Sequence, residues 1–122
     1  MRALVVEDEV FIQDILVEIL KTECGFEEVI CASDGLEGFK LASAEKFDLI
    51  TIDHMMPFMK GADLLIALRE KEGFNKNSPI FMISAHIPEM PPHLKNLENT
   101  FFLEKPIDVN RFIRYVKLTK NA

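Results

Sequence analysis

Cysteine is scarce in this 122-residue chain. Cys24 and Cys31 are too few for a disulfide framework, and the interval between them is not that of zinc ligands. Two lone thiols in a reducing compartment are the simplest reading. Long hydrophobic runs are missing as well. No stretch approaches the ~20 apolar residues of a membrane span. The N-terminal run Ala3-Leu4-Val5-Val6 is shorter than the roughly 7–15-residue core of a secretory signal. Both absences point to a cytoplasmic protein that does not insert into membranes. Internal repeats, low-complexity tracts and an interdomain linker are lacking too, so residues 1–122 are expected to form a single domain. Basic charge is also in short supply: 14 Lys and Arg against 20 Asp and Glu leave a net charge of −6 and a pI near 5.0. Phosphate backbones repel such a surface. The one basic cluster, Arg111, Arg114, Lys117 and Lys120, has the spacing of a solvated helix face, so direct nucleic-acid binding is not expected.

What the chain does have is a core. Its 48% apolar and 28% charged residues, with mean hydropathy +0.10, argue against intrinsic disorder. Five short apolar runs recur: Ala3–Val6, Val29–Ala32, Leu49–Ile52, Ile80–Ile83 and Phe101–Leu103. All but the second are apolar almost throughout, as strands covered on both faces are, and the second suits a sheet edge. Between them lie helical stripes. Ile12, Ile15, Leu16, Ile19 and Leu20 give a first helix from about Phe11 to Leu20. Leu36, Phe39, Leu41 and Ala42 mark a second, with Asp34 placed to cap it. Leu64, Leu65 and Leu68 mark a third, entered past Gly61. Val109, Phe112, Ile113 and Val116 mark the last, with Asp108 or Asn110 near its start. Alternating strands and helices imply right-handed crossovers and a three-layer α/β sandwich with a parallel sheet. One stretch breaks the rhythm: Pro88, Pro91 and Pro92 fall where a fourth helix is due. Proline tolerates only the first helical turn, which leaves a short or irregular helix from about Pro92 to Asn99.

In open parallel sheets, ligands bind beyond the carboxyl ends of the strands. The first strand runs into Glu7-Asp8-Glu9, the third into Asp53, the fourth into Ser84 and the fifth through Glu104 into Lys105-Pro106. Alone, an acid or serine at such a place reads as a helix cap, and a lysine before proline as a surface residue. Together they change the reading, because neighbouring strand ends would gather three carboxylates, a hydroxyl and an ammonium into one pocket. Three close carboxylates repel unless they protonate or bind a cation, and an all-oxygen set suits Mg²⁺. Lys105 and Ser84 would hold the remaining oxygens of a phosphoryl group. Asp53, on a central strand, is the best-placed nucleophile for an acyl phosphate, with Glu7 and Asp8 on the metal side.

With these residues in hand the chain resembles the receiver domain of two-component response regulators, over essentially its whole length. The likeness rests on Glu7-Asp8, on Asp53-His54-Met55-Met56-Pro57-Phe58-Met59-Lys60-Gly61, on Ser84-Ala85 and on Lys105-Pro106, with intervals of 45, 31 and 21 positions between Asp8, Asp53, Ser84 and Lys105. It implies a flavodoxin-like five-stranded sheet in the order 2-1-3-4-5 and a cis Lys105–Pro106 bond. It also implies that Asp53 accepts phosphate from a phosphohistidine. Asp8 would ligate Mg²⁺ directly, Glu7 through water, and Met55 through its backbone carbonyl. Lys105 would contact the phosphoryl group, Ser84 would swing toward it, and Phe102 would turn inward as the switch aromatic. The chain departs from the family pattern in having Glu7 for Asp, Ser84 for Thr, and prolines followed by Asn99-Thr100 where a full helix and Gly-Ala are usual.

The function so implied is that of a stand-alone phosphoacceptor switch, not a turnover enzyme on an external substrate, because the chain ends at Ala122 just past the last helix. Its partners would be a sensor histidine kinase or histidine phosphotransfer protein and an unidentified downstream protein. The alternative is a receiver-like interaction module that works without phosphorylation. A flavin or nucleotide site is disfavoured because Glu7-Asp8-Glu9 would repel a phosphate lacking a metal. An aspartyl phosphatase would want an acid where Met55 stands. Met55 and His86, each two places beyond Asp53 and Ser84, are placed to flank the path of attacking water.

Overall fold

In a computed structural model that describes residues 1–86, 88–92 and 97–120, each apolar run becomes a strand. They are β1 (Arg2–Val6), β2 (Glu28–Ala32), β3 (Leu49–Asp53), β4 (Ile80–Ser84) and β5 (Thr100–Glu104). All pairings are parallel and the order is β2-β1-β3-β4-β5, as the resemblance implied. The register lines up the carboxyl ends. Val6 lies opposite Ala32 and Ile52, Asp53 opposite Ile83, and Ser84 opposite Glu104. Hence the polar residues that follow each strand emerge at one rim.

The helices are α1 (Val10–Glu18), α2 (Gly35–Ala44), α3 (Gly61–Glu70) and α4 (Val109–Lys120), with α1 prolonged by a π-helical turn, Ile19–Glu23. Asp34 caps α2 by accepting a 2.8 Å bond from the Glu37 amide, and Asp108 does the same for α4 through Arg111. Alternation along each strand splits the core in two. Leu4, Val6, Ile50, Ile52, Ile80 and Met82 meet α2 and α3 through Ala42, Leu64, Leu65 and Leu68. Ala3, Val5, Leu49, Phe81 and Ile83 meet α1 and α4 through Leu16, Leu20, Phe112 and Val116. A strand buried on both faces has no polar side to show, which is why these runs look unbroken in the sequence.

Between β4 and β5, residues 88–92 and 97–99 are not helical; the centre of the helix expected from Pro92 to Asn99, residues 93–96 with His93, lies outside the described residues. The far end of this connection is tied down at the base of the sheet by Arg69, which is 1% exposed. Its guanidinium donates to the carbonyls of Lys76 and Ser78 (2.8 Å each), Asn99 (3.0 Å) and Asn75 (3.3 Å), and to Thr100 Oγ1 (3.0 Å). All of these acceptors are neutral. Desolvation therefore pushes the Arg69 pKa down to about 10. The basic cluster on α4 is mostly solvent-facing, as its spacing implied. The exception is Lys120, whose half-buried ammonium lies over the Phe26 ring and donates to the Cys24 carbonyl.

Candidate functional site

The strand ends do converge. One carboxylate oxygen from each of Glu7, Asp8 and Asp53 lies within 4.8 Å of the others. Glu7 and Asp53 are 3% and 6% exposed, while Asp8 faces solvent. Lys105 Nζ donates to Asp53 Oδ1 at 3.1 Å. The Lys105–Pro106 peptide is cis.

The charges are unbalanced. Burial pushes the Glu7 carboxyl up to about 8. The amide of Glu9, donating to Glu7 Oε2 at 3.1 Å, opposes that rise, and the Asp53 charge adds to it. Desolvation pulls the Lys105 ammonium down, but its bond to Asp53 and the charges of Asp53, Glu7 and Glu9 outweigh it and hold Lys105 above its ordinary value. A group of hard oxygen donors in which burial and a neighbouring charge raise the pKa of one acid is short of positive charge. The donor set fits Mg²⁺: carboxylates alone, no imidazole or thiol among them, and one edge open to water through Asp8.

Ser84 is buried at the same rim, but its hydroxyl is engaged locally. It donates to the His86 carbonyl at 2.5 Å and accepts from the His86 amide at 3.2 Å. The Ser84 carbonyl takes the Lys105 amide at 2.8 Å, which joins the ends of β4 and β5. Phe102 is half-buried against the α2–α3 side of the core. Met55 is 64% exposed at the lip, whereas Met56 is buried.

The β3–α3 loop is tightly built. The Met59 amide bonds the Pro57 carbonyl at 2.8 Å around Phe58, whose φ is 68°, giving a γ-turn of the strained hand with its aromatic side chain 87% exposed. Gly61 is required where the loop meets α3, since a Cβ there would sit 2.4 Å from the Asp53 carbonyl oxygen. His54, directly after Asp53, is half-buried. Its Nδ1 accepts the Ala62 amide at 3.1 Å and so caps α3, whose N-cap Lys60 makes no side-chain bond. No local pattern announces this, because the cap comes from eight residues upstream rather than from the N-cap position. A second such residue is Gln13. It falls on the buried stripe of α1 with Leu16 and Leu20, and a polar residue in that stripe is the only sequence signal for it.

The model of the response regulator receiver domain family matches residues 3–117. The chain belongs to this family. It is thus a receiver domain of two-component systems. Over 108 residues it is 36% identical to a protein-glutamate methylesterase/protein-glutamine glutaminase of Methanococcus maripaludis, covering 86% of this chain and 28% of that protein. The receiver spans about half or less of the length of the curated relatives it matches. Among solved structures it superposes on response regulator TrrA of Thermotoga maritima in complex with Mg²⁺–BeF, with a TM-score of 0.79, 26% identity and 97% coverage of each chain. It also superposes on the CheX–CheY–BeF3–Mg²⁺ complex of Borrelia burgdorferi, with a TM-score of 0.80, 29% identity, and coverage of 98% of this chain and 89% of that one.

Proposed function

We propose that this receiver is a phosphoacceptor switch in which Asp53 takes a phosphoryl group from the phosphohistidine of a sensor histidine kinase or histidine phosphotransfer protein. The observation that carries the reading is the meeting of Glu7, Asp8 and Asp53 within 4.8 Å, with Lys105 3.1 Å from Asp53. Glu7, Asp8, Asp53 and the Met55 carbonyl would hold Mg²⁺, which would offset negative charge on the phosphoryl oxygens. An Asp53 carboxylate oxygen attacks phosphorus as the N–P bond of the donor breaks, and the electron pair returns to the imidazole. Lys105, already held at Asp53, keeps its position and meets the new charge. Ser84 exchanges its His86 bonds for one to the phosphoryl group. That frees the start of the β4–β5 connection, lets Phe102 turn inward, and presents an altered surface to a downstream protein. Met55 and His86 flank the approach of the water that later releases the phosphate.

A protein donor, rather than a small one alone, is favoured by an apolar cleft of about 390 Å³ beside the site. The cleft is lined by Ile12 and Ile15 of α1, Ile19 of the π-helical turn, Ile107 and Val109, together with Glu9 and with Lys105, which bonds Asp53. Incubation with acetyl phosphate and Mg²⁺ is expected to add one phosphoryl group, detected by intact mass, and Asp53→Asn to abolish it. Wild-type protein that stays unlabelled would favour a phosphorylation-independent interaction module instead. Direct binding to nucleic acid is not part of this reading. No helix among the described residues is long and apolar enough to cross a membrane.

A further inference from the structure

One buried amide beside the acidic end of β1 has no part in the roles above. Gln13 is 8% exposed on α1, in line with Leu16 and Leu20, where an apolar residue would bury more cheaply. Its Nε2 donates to the main-chain carbonyl of Glu7 at 2.5 Å and reaches the Ser33 hydroxyl at 3.5 Å. The Glu7 amide, for its part, donates to the Ala32 carbonyl of β2 at 3.0 Å. The backbone of Glu7 is therefore held on both sides, by α1 through one bond and by β2 through the other.

We propose that Gln13 is a positioning residue for the cation: by gripping the Glu7 carbonyl, it sets the direction in which the Glu7 side chain leaves the chain and keeps the three carboxylates together. The inference rests on reading that cluster as the Mg²⁺ site. The need for such a grip follows from two facts. A glutamate has one more rotatable bond than an aspartate, so its carboxylate returns to one place only if its backbone is fixed. In the ionised form that would take a cation, three neighbouring carboxylates repel, so a Glu7 restrained through the Glu9 amide alone would be freer to swing away from Asp8 and Asp53, and the cation would have to rebuild the cradle at each binding event. Ser33 contributes little at 3.5 Å.

Gln13→Met tests this, because methionine matches glutamine in length and helix propensity but offers no donor. Mg²⁺ alone is titrated and followed by the amide NMR shifts of Asp8 and Asp53. Removing a partner that orients a metal ligand typically weakens binding about 10- to 100-fold, so Gln13→Met is expected to bind Mg²⁺ at least about tenfold more weakly. Gln13→Lys, which restores a donor, is expected to recover most of that loss, and Ser33→Ala to bind as wild type does. Mg²⁺ affinity in Gln13→Met within about twofold of wild type would overturn the proposal, even if the variant melts at a lower temperature. Should Gln13→Met fail to fold, the wild-type side-chain amide signals of Gln13 decide. They are expected to move with the Glu7 amide as Mg²⁺ is added, and signals that stay fixed refute the role. A wild-type protein showing no Mg²⁺-dependent shifts would instead remove the cation site itself, a failure separable from that of Gln13.

Discussion

Thr51 sits in the middle of β3, 1% exposed, with Val5 and Phe81 as its cross-strand neighbours. It shares the strand face of Leu49, which points into the α1–α4 half of the core. Among the described residues its hydroxyl is the buried side-chain polar atom with no hydrogen-bond partner. A hydroxyl taken out of water without compensation costs about 1–3 kcal/mol in proteins. Valine has the same branched shape and the same preference for strands, so Thr51→Val removes that penalty while leaving packing and backbone alone. The expected gain is about 1–2 kcal/mol, and roughly 5 °C in Tm for a domain of this size. Urea denaturation at neutral pH should show a higher midpoint with an unchanged slope. Thr51 is two residues from Asp53 but takes no part in the acidic cluster, so labelling by acetyl phosphate should match wild type. An unchanged or lowered midpoint would refute the reasoning, since it would mean that the hydroxyl is satisfied in the folded protein and that valine loses a bond.

Three further outcomes are expected. Glu7 is pushed up from 4.5 to about 8 by burial, so between those values the folded protein binds a proton that the unfolded chain does not. Stability in EDTA should therefore be fullest below pH 4.5 on this account and fall as pH rises toward 8. Melting curves should show Mg²⁺ raising Tm more at pH 8 than at pH 5, and Glu7→Gln flattening the slope in EDTA. Phe58→Gly relieves a positive φ at a side chain that is 87% exposed, and should raise stability by about 0.5–1 kcal/mol in chemical denaturation. Gly61→Ala drives a methyl group against the Asp53 carbonyl at 2.4 Å, and should cost about 1–3 kcal/mol and slow acetyl-phosphate labelling measured by mass.

The sheet was legible along the chain because burial leaves a local trace. Ile80–Ile83 is apolar throughout and Leu49–Ile52 apolar but for Thr51, since both of their faces are covered, and Asp34 and Asp108 cap helices that begin directly after those two aspartates. The candidate site was legible for a related reason. Parallel strands of equal length bring their carboxyl ends into line, so reading the residue after each apolar run amounts to reading the rim where Glu7, Asp8, Asp53 and Lys105 meet. Proline chemistry likewise agrees with residues 88–92 and 97–99 lying outside any helix.

Other features became visible only once the chain was folded. His54 caps a helix eight residues downstream, Arg69 gathers carbonyls from Asn75 to Asn99, and Gln13 holds the main chain of Glu7. Apolar periodicity is imposed on neighbouring residues by the one surface they share, and so it is written in order along the sequence. A polar group's partner is whichever distant donor or acceptor the packed layers set beside it, and that choice is made by geometry across the fold.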